Sequence, residues 1–409
     1  MSGGHWGAAG WAIALPCALW WARAAWLGLL ADRRLEDLGE TVPVPPRGAW
    51  PPLAAVVAAR DEAGGIDRAI RSLVSQDYPA LEVIAVDDRS RDGTGEILDR
   101  LSGEFPNLRV VHVRALPHGW LGKNHACARG AEEAAGRWIL FTDGDVVFAP
   151  TALRRAVAYA EARDLGHLAA LPHLVAPRLL ERAFVTTFAS FANMAFRTWE
   201  LRRPKTAGFV GIGAFNLVLR DAYRTVGGHG RLPLEAVDDV KLGMVLRRSG
   251  VRQGAVRAGR LVSVRWNAGF VASWRGLLKN AFAAAEYRWP VALAAAFALC
   301  LLGAGPWAVL LLGSGASRAI ALCAVALSTG VVGGASRRVV GGSGVEALLL
   351  PLAAPALASA VLASAALATA RGSVTWRGTR YPLKALRQGC VRVRDWPPDG
   401  AVGWDRRWW

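Results

Sequence analysis

The chain has 409 residues, of which 53% are hydrophobic and only 20% are charged. Such a composition excludes a disordered or fibrous protein and is unusual for a protein that is soluble throughout. The formal net charge of +17 predicts an anionic partner: nucleic acid, a phosphorylated substrate or an anionic membrane face. The five cysteines are scattered and form no C-x-x-C pair, which argues against a disulfide framework and a structural zinc site.

An apolar segment at residues 7–31 is long enough to cross a bilayer as one helix. A cleaved signal peptide is the alternative, but no Lys or Arg precedes the apolar run. Arg33 and Arg34 follow the segment. The positive-inside rule therefore places the N-terminus outside and the residues after the segment in the cytoplasm.

The region between residues 50 and 270 alternates short apolar runs with amphipathic helical patterns. This alternation predicts an α/β domain with a mostly parallel, doubly wound, Rossmann-like sheet, in which ligands bind beyond the carboxyl ends of the strands. Three of the predicted strands end in polar clusters, and neither a P-loop nor G-x-G-x-x-G follows the first strand. The predicted strands are 53–59, 81–86, 108–113 and 138–142, and the clusters are Arg60 with Glu62, Asp87 with Asp88, and Asp143 with Asp145.

A second apolar region, residues 291–370, contains three apolar segments, at 291–313, 319–334 and 345–370. Together with the first segment they would make four spans and leave the C-terminus outside. However, the basic tail at residues 371–409 holds nine Lys or Arg against three Asp, so we expect it to stay in the cytoplasm. One of the last two segments, 319–334 or 345–370, is therefore the candidate for a re-entrant or interfacial segment.

Acidic residues follow two of the predicted strands. Asp143-Gly144-Asp145 offers two carboxylates on a tight turn, which suits a divalent ion that bridges a diphosphate. A solvated acidic turn is the alternative. The consecutive acids Asp87 and Asp88 are more specific, because helix capping by a nearby residue does not explain two acids at the end of a buried strand.

With these motifs the chain resembles the family 2 glycosyltransferases of the GT-A fold, over about residues 52–290. The segments that support the resemblance occur in the family's order along the chain. They are VVAARDEAGGIDRAIRSLVSQDYPALEVIAVDDRSRDGT, GKNHA, FTDGD, GFVGIGAFNLVLRDAYRTVGG and VDDVKLG, the last in the place of the family's T/E-D-D element.

The resemblance implies roles for individual residues. Asp145, with Asp143, would bind Mg²⁺ or Mn²⁺, and Asp239 matches the general base, with Asp238 as the rival base. Asp88 matches the acid that hydrogen-bonds uracil. The residues that would hold the nucleotide-sugar are Ala58, Ala59, Arg60, Glu62, Asp88, Lys123 and Asp143. The family often has Pro-Ala-Arg-Asn-Glu where this chain has AARDE, so the choice of nucleobase stays open.

The chemistry of glycosyl transfer requires the same residue types. A metal ion or cations must stabilise the leaving diphosphate, and one carboxylate must take the proton of the acceptor hydroxyl. Asp145 and Asp239 would supply these two roles. Because no second nucleophile is evident, we expect a single displacement with inversion.

Residues 271–290 precede the second apolar region and predict an interfacial amphipathic helix. Arg288-Trp289 resembles the end of the Q-x-x-R-W motif of processive polysaccharide synthases, but the Gln place is Ala285. WRGLLKNAF and TWRGTRY (375–381) look more like membrane enzymes of this family that glycosylate lipids, such as carotenoid- or hopanoid-associated transferases. For the second of these segments a simple interfacial anchor is an equal alternative.

The sequence therefore predicts a multi-pass cell-membrane hexosyltransferase with a cytoplasmic catalytic domain, which uses a nucleoside diphosphate sugar and a membrane lipid acceptor. The predicted organisation is a helix at 7–31, a catalytic domain at 50–270, an interfacial helix at 271–290, a membrane region at 291–370 and a basic tail at 371–409. A polysaccharide synthase of the same fold and a catalytically silent membrane scaffold remain the alternatives. No nucleic-acid partner is expected, because the basic residues concentrate beside the apolar segments.

Overall fold

The structure is a computed structural model that describes residues 5–44, 49–201 and 208–392. Within these ranges the strands are β1 Leu53–Ala59, β2 Leu81–Asp88, β3 Leu108–Val113, β4 Trp138–Asp143, β5 Val146–Phe148, β6 His167–Leu174, β7 Asn216–Leu219, β8 Gln253–Val264, β9 Ser373–Trp376 and β10 Thr379–Pro382. The α-helices there are α1 His5–Arg34, α2 Ile66–Val74, α3 Thr94–Glu104, α4 Gly122–Glu133, α5 Ala152–Ala162, α6 Leu179–Phe196, α7 Arg220–Thr225, α8 Asp238–Arg248, α9 Phe270–Leu277, α10 Ala281–Ala284, α11 Trp289–Leu312, α12 Gly315–Val339, α13 Leu350–Arg371 and α14 Leu383–Gly389.

The chain divides into two compact units, each assembled from separate stretches of sequence. The first unit, which holds the long apolar helices, comprises Met1–Arg34, Leu174–Phe196 and Trp266–Val374. The second unit, which holds the main sheet, comprises Leu35–His173, Arg197–Arg265 and Thr375–Trp409. The last part of the predicted basic tail, residues 393–409, lies outside the described residues.

The second unit is built on an eight-stranded sheet in the order β3-β2-β1-β4-β7-β6-β8-β5. β1 pairs in parallel with β2 and β4, and β2 pairs in parallel with β3, which confirms the prediction for these four strands. β4 with β7, β6 with β7, and β5 with β8 are antiparallel, so the sheet is mixed and not mostly parallel. The parallel strands β1, β2, β3 and β4 follow one another through the crossover helices α2, α3 and α4, whereas β5 leaves the end of β4 after a short turn and pairs with β8 instead.

The core of this unit lies on both faces of the parallel strands, which are almost continuously apolar and buried. Val56 and Val86 pack under α4, while Leu242 and Leu246 bring α8 into the same cluster. Gly130 lets α4 approach the sheet closely, since a Cβ there would lie 2.3 Å from Val56 Cγ1. The sheet therefore holds α4 and α8, the two helices that bear predicted site residues, at fixed positions.

Four helices of the described chain are long and apolar enough to cross a membrane. They are Ala8–Arg34, Trp289–Leu312, Gly315–Val339 and Val345–Arg371, the last including a 3₁₀ turn before α13. The apolar segments at 7–31, 291–313 and 345–370 match three of them closely. The predicted segment 319–334 is too short, because α12 continues through the small and polar residues at both of its ends.

The expectation of one continuous helix at 271–290 is wrong, while the interfacial position of this segment stays a prediction. The structure has two short helices, α9 and α10, with a break at residues 278–280. Ser364 of α13 explains the break: its hydroxyl donates to the Leu278 carbonyl (2.8 Å) and accepts from the Phe282 amide (3.1 Å). These two backbone groups would otherwise bond each other as i and i+4 partners of one helix.

Contacts between the long helices of the first unit show in which direction each of them runs. α1 and α12 run the same way, since Gly10 lies beside Ser317 at one end and Asp32 pairs with Arg338 at the other. α13 ends beside the start of α11, where Trp289 Nε1 donates to Thr369 Oγ1 over 3.1 Å.

The start of α13 lies away from the ends of its neighbours. Leu350 packs with Trp21, Ala24 and Val332, all of which lie inside α1 or α12. The chain after Arg338 therefore runs back along α1 and α12 to about the middle of these helices, where α13 begins. From there α13 runs toward the end of the helices at which Arg338 lies.

Candidate active site

The predicted polar clusters of the second unit lie at one edge of the sheet. In the parallel register, Ala58 of β1 stands beside Asp143 of β4, and Ala59 stands beside Asp87 of β2. Because the carboxyl ends of these strands coincide, the loops after them form the rim of a single site.

One part of this rim is a group that we call the carboxylate cluster: Lys123, Asp143, Asp145, Asp238 and Asp239. Lys123, in the first turn of α4, places its Nζ 2.8 Å from Asp143 Oδ1 and 3.8 Å from Asp238 Oδ1. Burial alone would lower the pKa of Lys123, but the carboxylates of Asp143, Asp238 and Asp239 outweigh it and raise the pKa well above its ordinary value. Lys123 is therefore a permanent cation among four acids.

Asp238 and Asp239 are the first two residues of α8. Val237 holds the N-cap position of this helix and makes no side-chain capping hydrogen bond. Asp239 accepts a 2.7 Å hydrogen bond from the Gly213 amide through Oδ2. The backbones are in close contact, since a Cβ on Gly211 would lie 1.7 Å from the Asp239 carbonyl oxygen. The glycine-rich segment before β7 thus fixes the Asp239 carboxylate.

The two neighbouring acids of α8 differ in their proton affinity. Burial, and after it the Asp238 carboxylate, raises the pKa of Asp239 to about 6. Burial also acts to raise the pKa of Asp238, but Lys123 and His229 oppose it and keep that pKa below its ordinary value. At neutral pH Asp238 is a firm anion, whereas Asp239 can exchange a proton.

Asp145 lies on the turn between β4 and β5. Burial, followed by the carboxylates of Asp143 and Glu62, raises the pKa of Asp145 to about 7. Because neighbouring carboxylates add to the effect of burial, a divalent cation bound between them would lower this pKa again. Carboxylate oxygens are the ligands that Mg²⁺ and Mn²⁺ prefer, so Asp145 and the free Oδ2 side of Asp143 fit a hard divalent ion.

The other part of the rim, which we call the arginine-paired loop, contains Arg60, Glu62, Asp88 and Arg89. Asp88 is only 3% exposed, and Arg89 binds it through two hydrogen bonds of 2.7 and 3.0 Å. Arg60 approaches the same carboxylate at 3.6 Å. Residue 122, at the start of α4, must be glycine here, because a Cβ would lie 2.1 Å from Asp88 Oδ2.

Hydrogen bonds between the loops after β1 and β2 hold them together. The Asp61 amide donates to Ser90 Oγ (3.1 Å), and the Glu62 amide donates to Thr94 Oγ1 (2.9 Å). The Ala63 amide donates to Asp92 Oδ2 over 2.9 Å. Asp92 is thus a tie between loops, which the sequence alone would suggest only as a helix cap.

A hairpin formed by β9 and β10 reaches the arginine-paired loop. Its tip residue Arg377 pairs with Glu62 and donates to the Asp61 carbonyl over 3.2 Å. Arg60 Nη1 lies 3.5 Å from Thr379 Oγ1 on the same hairpin. The TWRGTRY segment therefore contacts the rim of the site. Neither of its two sequence interpretations, as a motif of lipid-glycosylating enzymes or as an interfacial anchor, predicted this contact.

The sequence analysis missed four residues that contact the predicted site: Arg89, Gly213, His229 and Arg377. Arg89 and Gly213 lie inside motifs that were recognised, and the paired glycines of GFVGIG are a usable signal for close backbone approach. His229 contacts the site through tertiary structure only, and Arg377 lies in TWRGTRY, a segment that the sequence analysis had not connected to the nucleotide-sugar site.

Residues 54–227 match the sequence model of the family described as glycosyl transferase family 2. The predicted family resemblance is confirmed.

Two curated relatives extend this comparison. The chain is 29% identical over 234 residues to a beta-monoglucosyldiacylglycerol synthase of Synechocystis sp., and the matched region covers 53% of this chain and 48% of the relative. It is 23% identical over 233 residues to a 4,4'-diaponeurosporenoate glycosyltransferase of Staphylococcus haemolyticus, which covers 56% of this chain and 60% of the relative. The matched regions thus span about half of each protein's length.

Among solved structures, a mannosyltransferase of Pyrobaculum calidifontis in complex with GDP-Man and Mn²⁺ superposes with a TM-score of 0.53 at 20% identity. The match covers 88% of this chain and 98% of that one. This similarity confirms the GT-A fold.

Proposed function

We propose that this protein is a membrane-bound inverting glycosyltransferase that moves a sugar from a UDP-sugar to a hydroxyl group of a membrane lipid. The observation that supports it most is the carboxylate cluster. A pair of acids suited to a divalent ion lies next to a half-buried lysine and to a carboxylate with an elevated pKa, at the ligand-binding edge of a GT-A sheet.

The arginine-paired loop would bind the nucleotide. The small side chains of Ala58 and Ala59 leave room at the strand end, and Arg60 and Glu62 flank it. Asp88 would accept a hydrogen bond from the N–H of the uracil ring. Arg89 binds both oxygens of the Asp88 carboxylate, so it must release one of them when uracil binds. Calorimetry with UDP and GDP tests this role: Asp88→Ala should weaken UDP binding more than GDP binding, and equal affinities unchanged by the substitution would contradict it.

Asp145 and Asp143 would hold Mg²⁺ or Mn²⁺, which when bound stabilises the charge on the leaving diphosphate. Lys123 supplies a fixed positive charge beside Asp143 and keeps that carboxylate oriented. These residues prepare the site for a doubly charged donor that would otherwise be repelled by four carboxylates.

Asp239 would act as the general base. Its Oδ2 is held by the Gly213 amide, which leaves Oδ1 to take the proton of the acceptor hydroxyl. The acceptor oxygen then attacks the anomeric carbon as the bond to the diphosphate breaks, and the configuration inverts. Asp238 contributes negative charge that keeps the pKa of Asp239 in a useful range.

Three observations favour a lipid as the acceptor. Four helices of the chain can cross a membrane, the net charge of +17 suits an anionic bilayer face, and both curated relatives are named for lipid-like molecules, a glucosyldiacylglycerol and a diaponeurosporenoate. Mass spectrometry of lipid extracts from cells with the wild-type chain, with Asp239→Asn and with the exposed control Asp221→Asn tests the proposal. We expect a hexosylated lipid in the first and third; an identical lipid profile in all three would contradict it.

The proposed topology places the second unit in the cytoplasm and treats residues 340–371 as re-entrant. One folded body lies on one side of a bilayer, yet its stretches 197–265 and 375–392 are separated by three apolar helices. A re-entrant α13 removes the conflict, and its start in the middle of its neighbours supports this.

Substituted cysteines test the topology, with the wild-type chain as background. Ser314→Cys, between α11 and α12, should react with a membrane-impermeant thiol reagent in intact cells. Arg387→Cys, on α14, should react only after permeabilisation. Labelling of both positions from outside would show that α13 crosses fully.

A further inference from the structure

We propose that Cys127, His229 and Asp238 form a second metal site, which takes a thiophilic divalent ion such as Zn²⁺ and inhibits sugar transfer when occupied. The inhibition rests on the proposed function, whereas the binding of the ion does not. The sequence offered no spacing signal for this site, because its residues come from α4, from a 3₁₀ turn at Gly228–Arg231 and from α8.

The distances between the three side chains suit one ion. Their ligand atoms all lie within 4.8 Å of one another, and all three residues are buried. His229 Nε2 and Asp238 Oδ2 are 3.7 Å apart, which is too long for a hydrogen bond. Two tetrahedral ligands of Zn²⁺, each about 2.1 Å from the ion, are separated by about 3.4 Å. The gap between His229 and Asp238 is therefore close to that between two ligands of a shared ion.

His229 is oriented as a metal-binding histidine. Its Nδ1 lies 2.9 Å from the hydroxyl of Tyr223, which also accepts the His229 backbone amide at 3.0 Å. A hydroxyl can accept both N–H groups, which leaves Nε2 as the metal-binding nitrogen. Phe141 packs edge-on against the imidazole at 4.8 Å and fixes the ring plane.

The charge around the site also favours a cation. Asp143, Asp238 and Asp239 surround a single ammonium group, that of Lys123, and Asp145 lies on the turn beyond. Lys123 approaches Asp238 from the Oδ1 side, while His229 faces Oδ2, so the lysine and an ion would use different oxygens.

The thiol of Cys127 sets the preference for the metal. Sulfur ligands select Zn²⁺ and similar ions over Mg²⁺ and Mn²⁺, which prefer oxygen. Binding replaces the thiol proton, which leaves to solvent as the S–metal bond forms. The protein would then have two metal sites of different type: a hard one at Asp143 and Asp145, and a soft one behind Asp238.

An ion at the soft site inhibits because it changes Asp238. The ion would hold the Asp238 carboxylate, which lies next to the proposed base Asp239 at the start of α8 and 3.8 Å from the Lys123 ammonium group, and would draw it away from these two neighbours. The proposed base and the lysine would then lose a fixed partner, although the donor site at the arginine-paired loop is intact.

Cobalt absorption tests the binding without any activity. The purified full chain, with Mg²⁺ in excess, is titrated with Co²⁺, and a near-ultraviolet thiolate-to-cobalt band that Zn²⁺ displaces is the expected result. Cys127→Ala should abolish the band, while Cys323→Ser, an exposed cysteine on α12, should keep it. Tyr223→Phe should weaken the affinity about tenfold, the usual effect of losing a partner of a ligating histidine. No band in the wild-type chain, or a band that persists in Cys127→Ala, overturns the proposal.

Inhibition is then measured as the ratio of transfer rates with and without Zn²⁺, each variant against its own zinc-free rate. We expect a ratio that falls about tenfold or more in the wild-type chain and in Cys323→Ser but stays near one in Cys127→Ala. A cobalt band in a chain that transfers no sugar would refute the proposed function alone. Transfer without a cobalt band would refute the second metal site alone.

Discussion

The two parts of the candidate site balance their charge in opposite ways. In the carboxylate cluster four acids share one lysine, and burial, followed by the neighbouring carboxylates, raises the pKa values of Asp145 and Asp239. In the arginine-paired loop each acid has its own guanidinium, Asp88 with Arg89 and Glu62 with Arg377. The first part has fewer cations than acids, and the second part must exchange partners when a ligand binds. The predictions below test this contrast.

The largest effect is expected at Asp239. Asp239→Asn keeps the shape of the side chain but cannot accept a proton, so transfer should fall about a hundredfold or more. UDP-sugar binding and thermal stability should remain near wild type, and Asp238→Asn should lose less activity. If Asp238→Asn is inactive while Asp239→Asn transfers normally, the base is Asp238.

Asp145→Ala should also abolish most of the transfer, by about a hundredfold or more, because the diphosphate loses its ion. Initial rates over a range of Mn²⁺ concentrations, with the melting temperature as a control for folding, measure the effect. Activity that survives both this substitution and EDTA would show that the carboxylate cluster acts without a metal.

The pH dependence should follow Asp239. Its pKa of about 6 means that the carboxylate is protonated below that pH and cannot act as a base, so the rate should fall about tenfold per pH unit there. Saturating Mn²⁺ keeps Asp145 ionised during the measurement. Asp238→Asn removes the neighbouring charge that raises the pKa of Asp239, so the fall in rate at acid pH should begin at a lower pH in this variant. An unchanged pH profile would show that the Asp238 charge does not control the pKa of the base.

The smallest effect is expected at the hairpin. The pair between Arg377 and Glu62 is partly exposed, with 40% and 25% of the side chains accessible, so Arg377→Gln should weaken donor binding only about two- to fivefold. Arg387→Gln removes the same charge from α14 and serves as the control in calorimetry with UDP. Tighter binding by Arg377→Gln would indicate that the hairpin competes with the donor for Glu62.

The sequence predicted the structure well where the determinants are local. Runs of apolar residues predicted the bounds of β1 and β3. The position of Asp143 and Asp145 at the end of β4 was predicted in the same way, because they come at the end of an apolar run. Contacts between residues far apart in the chain could not be predicted from the sequence. The hydrogen bond from the Gly213 amide to Asp239 joins two separate motifs, and Ser364 interrupts a helix more than 80 positions earlier in the chain. Such contacts depend on how the elements pack, which no local pattern encodes.

The discontinuity of the second unit restricts how its enzyme portion can be isolated. A soluble fragment ending at residue 265 would lose the strand-and-helix segment at 375–391. It would then lack the Val391 carbonyl that binds Lys241 Nζ at 2.5 Å and the Val391 amide that binds Glu235 at 3.0 Å. Lys241 and Glu235 lie on either side of Asp238 and Asp239 in the sequence. Any autonomous fragment must therefore include the segment that follows the last apolar helix.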